Sequence, residues 1–219
     1  RLPGSSWFIG GTWNLAGIST RFDGLEGFEE GPSLQTTDRE SKNGSLGALL
    51  AYDSRDNIFT PNRGVNATLD LKRHDNAFLG DYDYWETTLG GTGFVPVGSD
   101  WVIGLKGYVA GVGDAAPFWA LPGVSMRGIP AQRFVGKNLA QAEAVLRWDW
   151  TSRWSLVGFG GMGWTESTIR ENTTDRSVGA VGGGFRYLMA RAFGLRGGID
   201  VADGDNGFAF YITTGSAWR

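Results

Sequence analysis

The chain has 219 residues, with 20 Lys and Arg against 23 Asp and Glu, one His, no Cys, 36 Gly and 10 Trp. A net charge of −3 argues against a nucleic-acid binder, which needs a basic field to displace counterions from phosphates. The absence of Cys excludes disulfides, thiolate metal sites and a cysteine nucleophile, and no run of about 18 apolar residues is present to form a membrane helix.

Alternation of apolar and polar residues, rather than helical spacing, runs through the chain and predicts about ten strands. They fall near residues 5–17, 44–54, 64–74, 81–95, 101–112, 138–150, 154–165, 177–189, 194–203 and 207–218. In the third, Val65, Ala67, Leu69 and Leu71 share one face, with Asn66, Thr68, Asp70 and Lys72 on the other. In the sixth, Ala140, Ala142, Ala144, Leu146, Trp148 and Trp150 oppose Gln141, Glu143, Val145, Arg147 and Asp149. The last puts Phe208, Phe210, Ile212, Thr214 and Trp218 together. Short turns near 98–100, 151–153 and 189–193 alternate with longer polar connections near 23–42, 75–80, 113–137 and 166–176. The expected fold is all-β, an antiparallel up-and-down transmembrane β-barrel with tight turns at one end and long loops at the other. Trp residues at strand ends fit interfacial girdles. Asp70, Lys72, Lys106, Glu143, Arg147, Asp149, Arg196 and Asp200 then line the lumen. A soluble sandwich with the apolar face inside would produce the same alternation.

Other features have plain readings. The runs Gly111-Val112-Gly113 and Gly182-Gly183-Gly184 lack the helix that follows a phosphate loop, and read as strand glycines. His74 reads as a solvated residue at a strand end, and Asp81, Asp83 and Glu86 as acids of a loop mouth rather than a calcium site. With one His and no nucleophile elbow, no catalytic residue is expected, and no enzyme activity, cofactor or metal.

The stretch from Tyr52 to Gly64, with Asp53, Arg55, Asp56, Asn57 and Pro61, resembles the strand–turn–strand signature of the Omp85 superfamily, the BamA/TamA-type surface-antigen barrels. Met126-Arg127-Gly128-Ile129 resembles that family's apolar-Arg-Gly-aromatic loop motif, with Ile129 in the aromatic position. The segment with Tyr211, Gly215 and Trp218 is similar to the terminal strand that such barrels present to the assembly machinery. The resemblance is strongest over 44–219 and treats 1–219 as one barrel domain without a periplasmic domain, about ten strands of a wall that has about sixteen in relatives. It implies that the 113–137 loop folds into the lumen and that Arg127 pairs with an acid on the wall. Where many relatives place Asp, this chain has Gly161, so Glu143 or Asp200 has to serve.

The resemblance further implies a bacterial outer-membrane protein linked to insertion or translocation of other outer-membrane proteins. The alternatives are a passive structural barrel or small solute channel, and a membrane anchor of a larger protein. Implied partners are the lipid bilayer with lipopolysaccharide, the barrel assembly machinery, client outer-membrane proteins and a second copy of the chain, with no nucleic acid.

Overall fold

The computed structural model describes residues 4–22, 37–169, 172–216 and 218. Ten strands follow one another: β1 (Trp7–Phe22), β2 (Thr37–Asp53), β3 (Gly64–His74), β4 (Tyr84–Val97), β5 (Trp101–Val112), β6 (Asn138–Trp148), β7 (Trp154–Ile169), β8 (Asn172–Ala190), β9 (Leu195–Gly204) and β10 (Gly207–Thr214). Each pairs antiparallel with its sequence neighbour, giving one sheet in the order β1 to β10. Among the described residues β1 and β10 do not pair with each other, so the sheet is not closed. No helix among the described residues is long and apolar enough to cross a membrane.

The two faces of the sheet are inverted relative to a soluble protein. Glu143, Arg147, Arg186 and Asp200 are buried, while Ile9, Trp13, Leu105, Phe208, Phe210 and Ile212 are exposed, Ile212 at 90%. In water that arrangement would desolvate charges and hydrate hydrocarbon, both unfavourable. In a bilayer it satisfies both groups, because the outward face meets lipid and the charges meet each other inside. The sandwich alternative is thereby overturned. An aromatic band marks the short-turn end. Trp101 stacks on Trp148 at 5.4 Å, Trp154 lies 4.8 Å from Tyr187, and Trp7 lies 5.0 Å from Tyr52.

The largest differences from the sequence reading lie at three places. The connection expected over 166–176 is largely ladder, with β7 and β8 paired out to Ile169 and Asn172. Likewise β1 and β2 pair as far as Phe22 and Thr37, which cuts into the loop expected over 23–42; residues 23–36 lie outside the described residues. The last strand ends at Thr214 rather than 218, because Gly215 adopts φ +80°. That left-handed step, which a side chain resists, redirects the chain inward and buries Trp218, away from the face of Phe208, Phe210 and Ile212.

Candidate functional site

The loop between β5 and β6, residues 113–137, returns into the concave face of the sheet. Its apolar side chains supply the anchor: Val124, Met126 and Ile129 pack with Ala110, Leu139, Val178 and Ala180 in one buried cluster. Polar contacts fix its register. Ser125 and Gln141 exchange two hydrogen bonds, Ser125 N donating to Oε1 (2.9 Å) and Gln141 Nε2 donating to the Ser125 carbonyl (3.1 Å). Gly128 N donates to the Tyr211 hydroxyl at 2.8 Å. Gly128 has φ +90°, and a Cβ there would lie 2.9 Å from Ala180 Cβ and 3.3 Å from Ala202 Cβ. Both conformation and close approach therefore require glycine.

Arg127 lies at the centre of this contact. Its Nη1 donates to Asp200 Oδ2 at 2.8 Å, and its guanidinium carbon sits 3.5 Å from the centre of the Phe159 ring. Asp200, 0% exposed, accepts two further bonds from Arg186 Nη1 and Nη2 at 2.5 and 2.8 Å. Of the two acids that could serve Arg127, Asp200 does so. Glu143 instead accepts from Lys106 Nζ (3.1 Å) and Trp218 Nε1 (3.3 Å). A side chain at Gly161 would meet Glu143 Cγ at 2.7 Å, so that position has no room for an acid in this arrangement. Arg127 Nε and Nη2 are buried without a hydrogen-bond partner. Arg186, the main partner of Asp200, was not singled out from the sequence; the signal was there in Phe185-Arg186-Tyr187, a cation alternating with two aromatics.

At the opposite end the connection between β2 and β3, residues 54–63, folds beneath the sheet. Asp53 holds Arg55 through both carboxylate oxygens at 3.0 and 2.8 Å. Asp56 Oδ1 accepts the backbone N–H groups of Asn62 (3.0 Å) and Arg63 (3.3 Å). Burial pushes the Asp56 carboxyl up, but these donors outweigh it and hold the group below 3.8. Asn57 Oδ1 accepts from Phe59 and Thr60 N, and its Nδ2 donates to the Phe193 carbonyl at 2.7 Å, across to the β8–β9 turn. Pro61 is fully buried, and Gly64 has φ +102°. Arg147 donates to the Pro61 carbonyl and to Asn62 Oδ1, and pairs with Asp149 at 3.1 Å. Asp149 in turn accepts from Ser155 Oγ (2.7 Å) and pairs with Arg196 (3.4 Å).

The sequence-predicted residues thus form separate groups. Arg127, Gly128, Asp200 and Tyr211 meet around the loop. Asp53 with Arg55, and Asp56, Asn57 and Pro61 with Arg147, organise the turn. Glu143 and Trp218 join Lys106 between them, and Gly215 sets the approach of Trp218. The remaining charged cluster lies near the long-loop end. His74 is buried there rather than solvated, stacked on Tyr84 at 4.1 Å and hydrogen-bonded to Asn43 Oδ1 (2.8 Å) and Glu86 Oε2 (3.2 Å). The mouth acids are used structurally: Asp81 accepts from Lys42 N (2.7 Å), Asp83 pairs with Arg73 (2.5 Å) and Glu86 with Lys72 (2.9 Å). Among the described residues no group of three or more acids or histidines is placed to hold a metal ion.

The ten-strand sheet has a counterpart among known proteins. A model of the Omp85 superfamily domain matches residues 9–122, more than half of the chain. The chain belongs to the Omp85 superfamily. The matched span overlaps the 44–219 resemblance through the turn signature and extends it over β1. The crystal structure of BamA from Haemophilus ducreyi lacking POTRA domains 1–3 is similar to this Omp85 chain with a TM-score of 0.66 at 14% identity, covering 95% of this chain and 51% of that one. The likeness is one of fold, and the present chain spans about half the length of that relative. No curated protein matches the chain.

Proposed function

We propose that this Omp85 chain works in the bacterial outer membrane to help insert or translocate other outer-membrane proteins. The observation that carries the reading is the docking of the 126–128 motif on Asp200 and Tyr211. It fastens the long loop to β9 and β10, the two strands beside an edge left unpaired among the described residues. Unpaired strand N–H and C=O groups are costly in a bilayer and form a ready template for another strand. An incoming client segment can extend the sheet there while the docked loop keeps β9 and β10 in register. Partners on this reading are client barrels, the assembly machinery, the bilayer with its lipopolysaccharide, and a second copy of the chain.

The test is depletion of the protein in its host, with folding of other outer-membrane barrels followed by heat-modifiable gel mobility. Accumulation of unfolded clients supports the reading; normal client folding in its absence rejects it. One observation favours a solute channel as a second reading. The concave face holds a cavity of about 720 Å³ lined in part by Asn66, Thr68, Thr88, Thr92, Lys106 and Tyr108. Single-channel conductance of the purified protein separates the two, since only the channel reading requires steady ion flow.

A further inference from the structure

The β2–β3 turn does more than join two strands. Adjacent strands lie about 4.8 Å apart, so the five steps from β3 to β8 measure about 24 Å along the sheet. Yet Asn57, in that turn, donates directly to the Phe193 carbonyl between β8 and β9. The turn therefore crosses the concave face as a chord rather than following the wall. Midway it meets β6, where Arg147 donates to the Pro61 carbonyl and Asn62 side chain. At its far side the Phe59 carbonyl lies against Gly215, where a Cβ would sit 3.1 Å away. Pro61 is fully buried and seats among Val102, Val145, Arg147, Val157 and Trp218, around a residual void of about 50 Å³, room for one or two waters.

We propose that residues 54–63 form a latched floor that seals the short-turn end of the lumen. Asn57 on Phe193 is the releasable catch, and Pro61 on Arg147 is the stopper. The catch suits release because Asn57 is tied to the far wall by one neutral hydrogen bond, worth little net against water. The hinge side is stronger: Asp56 accepts two backbone N–H groups and Asp53 holds Arg55 bidentately. When the catch opens, the turn swings on its β2–β3 base and exposes the inner surface beneath Pro61. This inference rests on the barrel fold alone and stands whether or not the protein handles clients.

The chain contains no Cys, so a single introduced thiol reports access. Val157→Cys places it on a buried residue beneath Pro61, and Ile58→Cys places it on an exposed residue of the turn itself, beside the concave-face cavity. The full protein in liposomes, with the short-turn end outward, is treated with a charged, membrane-impermeant maleimide. The Val157→Cys thiol is expected to label slowly, and about tenfold or more faster once Asn57→Ala removes the catch together with the two bonds that Asn57 Oδ1 accepts within the turn, the effect of three lost hydrogen bonds on a local opening. The Ile58→Cys thiol should label fast in both backgrounds, and Arg127→Met, which loosens the other end, should leave Val157→Cys slow. A heat-modifiable band in every variant establishes folding. Should Asn57→Ala disrupt folding, Asn57→Asp, which keeps the acceptor for Phe59 and Thr60 N and removes the donor to Phe193, provides the second release. Equal labelling of Val157→Cys with the catch intact and released, fast or slow, overturns the proposal.

Discussion

Replacing Arg127 with methionine removes one charge-assisted hydrogen bond to Asp200 and a guanidinium stacked on Phe159. Such a bond contributes about 1.5–3 kcal/mol, and a desolvated cation–π contact about 1–2 kcal/mol. Two terms offset this. Asp200 keeps both bonds from Arg186, so no buried carboxylate is left unpaired, and the buried unpartnered Nε and Nη2 of Arg127 vanish with the side chain, each having cost about 1–3 kcal/mol. These terms nearly cancel, so the net change is within about 1 kcal/mol. Arg186→Met is different. It removes a bidentate pair and leaves Asp200, which has no solvent contact, on a single bond, a loss of about 3–5 kcal/mol. At about 2–4 °C per kcal/mol for a chain of this size, the thermal midpoint shifts by no more than about 4 °C for Arg127→Met and falls by about 6–20 °C for Arg186→Met. The midpoint is read from the heat-modifiable band in detergent. Equal losses for the two variants, or a larger one for Arg127→Met, would refute the assignment of Arg186 as the principal partner of Asp200.

Three other perturbations follow from the same geometry. Gly128→Val forces a side chain into φ +90° and against Ala180 and Ala202; it should undock the loop and speed tryptic cleavage after Arg133, whose side chain is 42% exposed, whereas unchanged cleavage would separate the loop from its glycine. Trp218→Ala removes a buried indole from Phe94 and Glu143 and should cost about 3–5 kcal/mol after refolding in detergent; a loss confined to assembly in cells would assign Trp218 to recognition instead of packing. Asp56 has its carboxyl pKa lowered in the folded protein, so its contribution is present above the ordinary value of 3.8 and is lost as pH falls below it; the turn should resist proteolysis at pH 5 and loosen only below pH 3.8, and loosening between pH 5 and 7 would exclude Asp56 as its clamp.

The ten strands were legible because lipid outside and charge inside enforce a two-residue period wherever the sheet crosses the bilayer. The period predicted β3 and β5 to the residue, at 64–74 and 101–112. It failed where the ladder runs past the membrane. From Thr165 to Asp175 every residue but Ile169 is polar, so the two-residue period disappears and paired strand reads as loop. The site was legible in its local parts and not in its pairings. Arg127 and Asp200 lie 73 positions apart and Asn57 and Phe193 lie 136 apart, and no spacing rule connects such residues. Trp218 was misplaced for a simpler reason: the alternation count passes through Gly215, and one left-handed residue cancels it.

The two inward segments enter from opposite ends and stop at one layer. The loop reaches Asp200 through Arg127, the turn reaches Arg147 through Pro61, and Trp218 lies between them, bonded to Glu143 and lining the void beside Pro61. A conducting path along the concave face must displace both segments, each held by buried polar contacts. A strand-pairing path at the β10 edge displaces neither, because pairing uses the edge backbone groups and leaves the inward Tyr211 on Gly128. For the same reason, loosening the loop or the floor should raise conductance without improving client assembly, and a substitution that blocks the β10 edge should do the reverse. The two readings are thus separable by mutation.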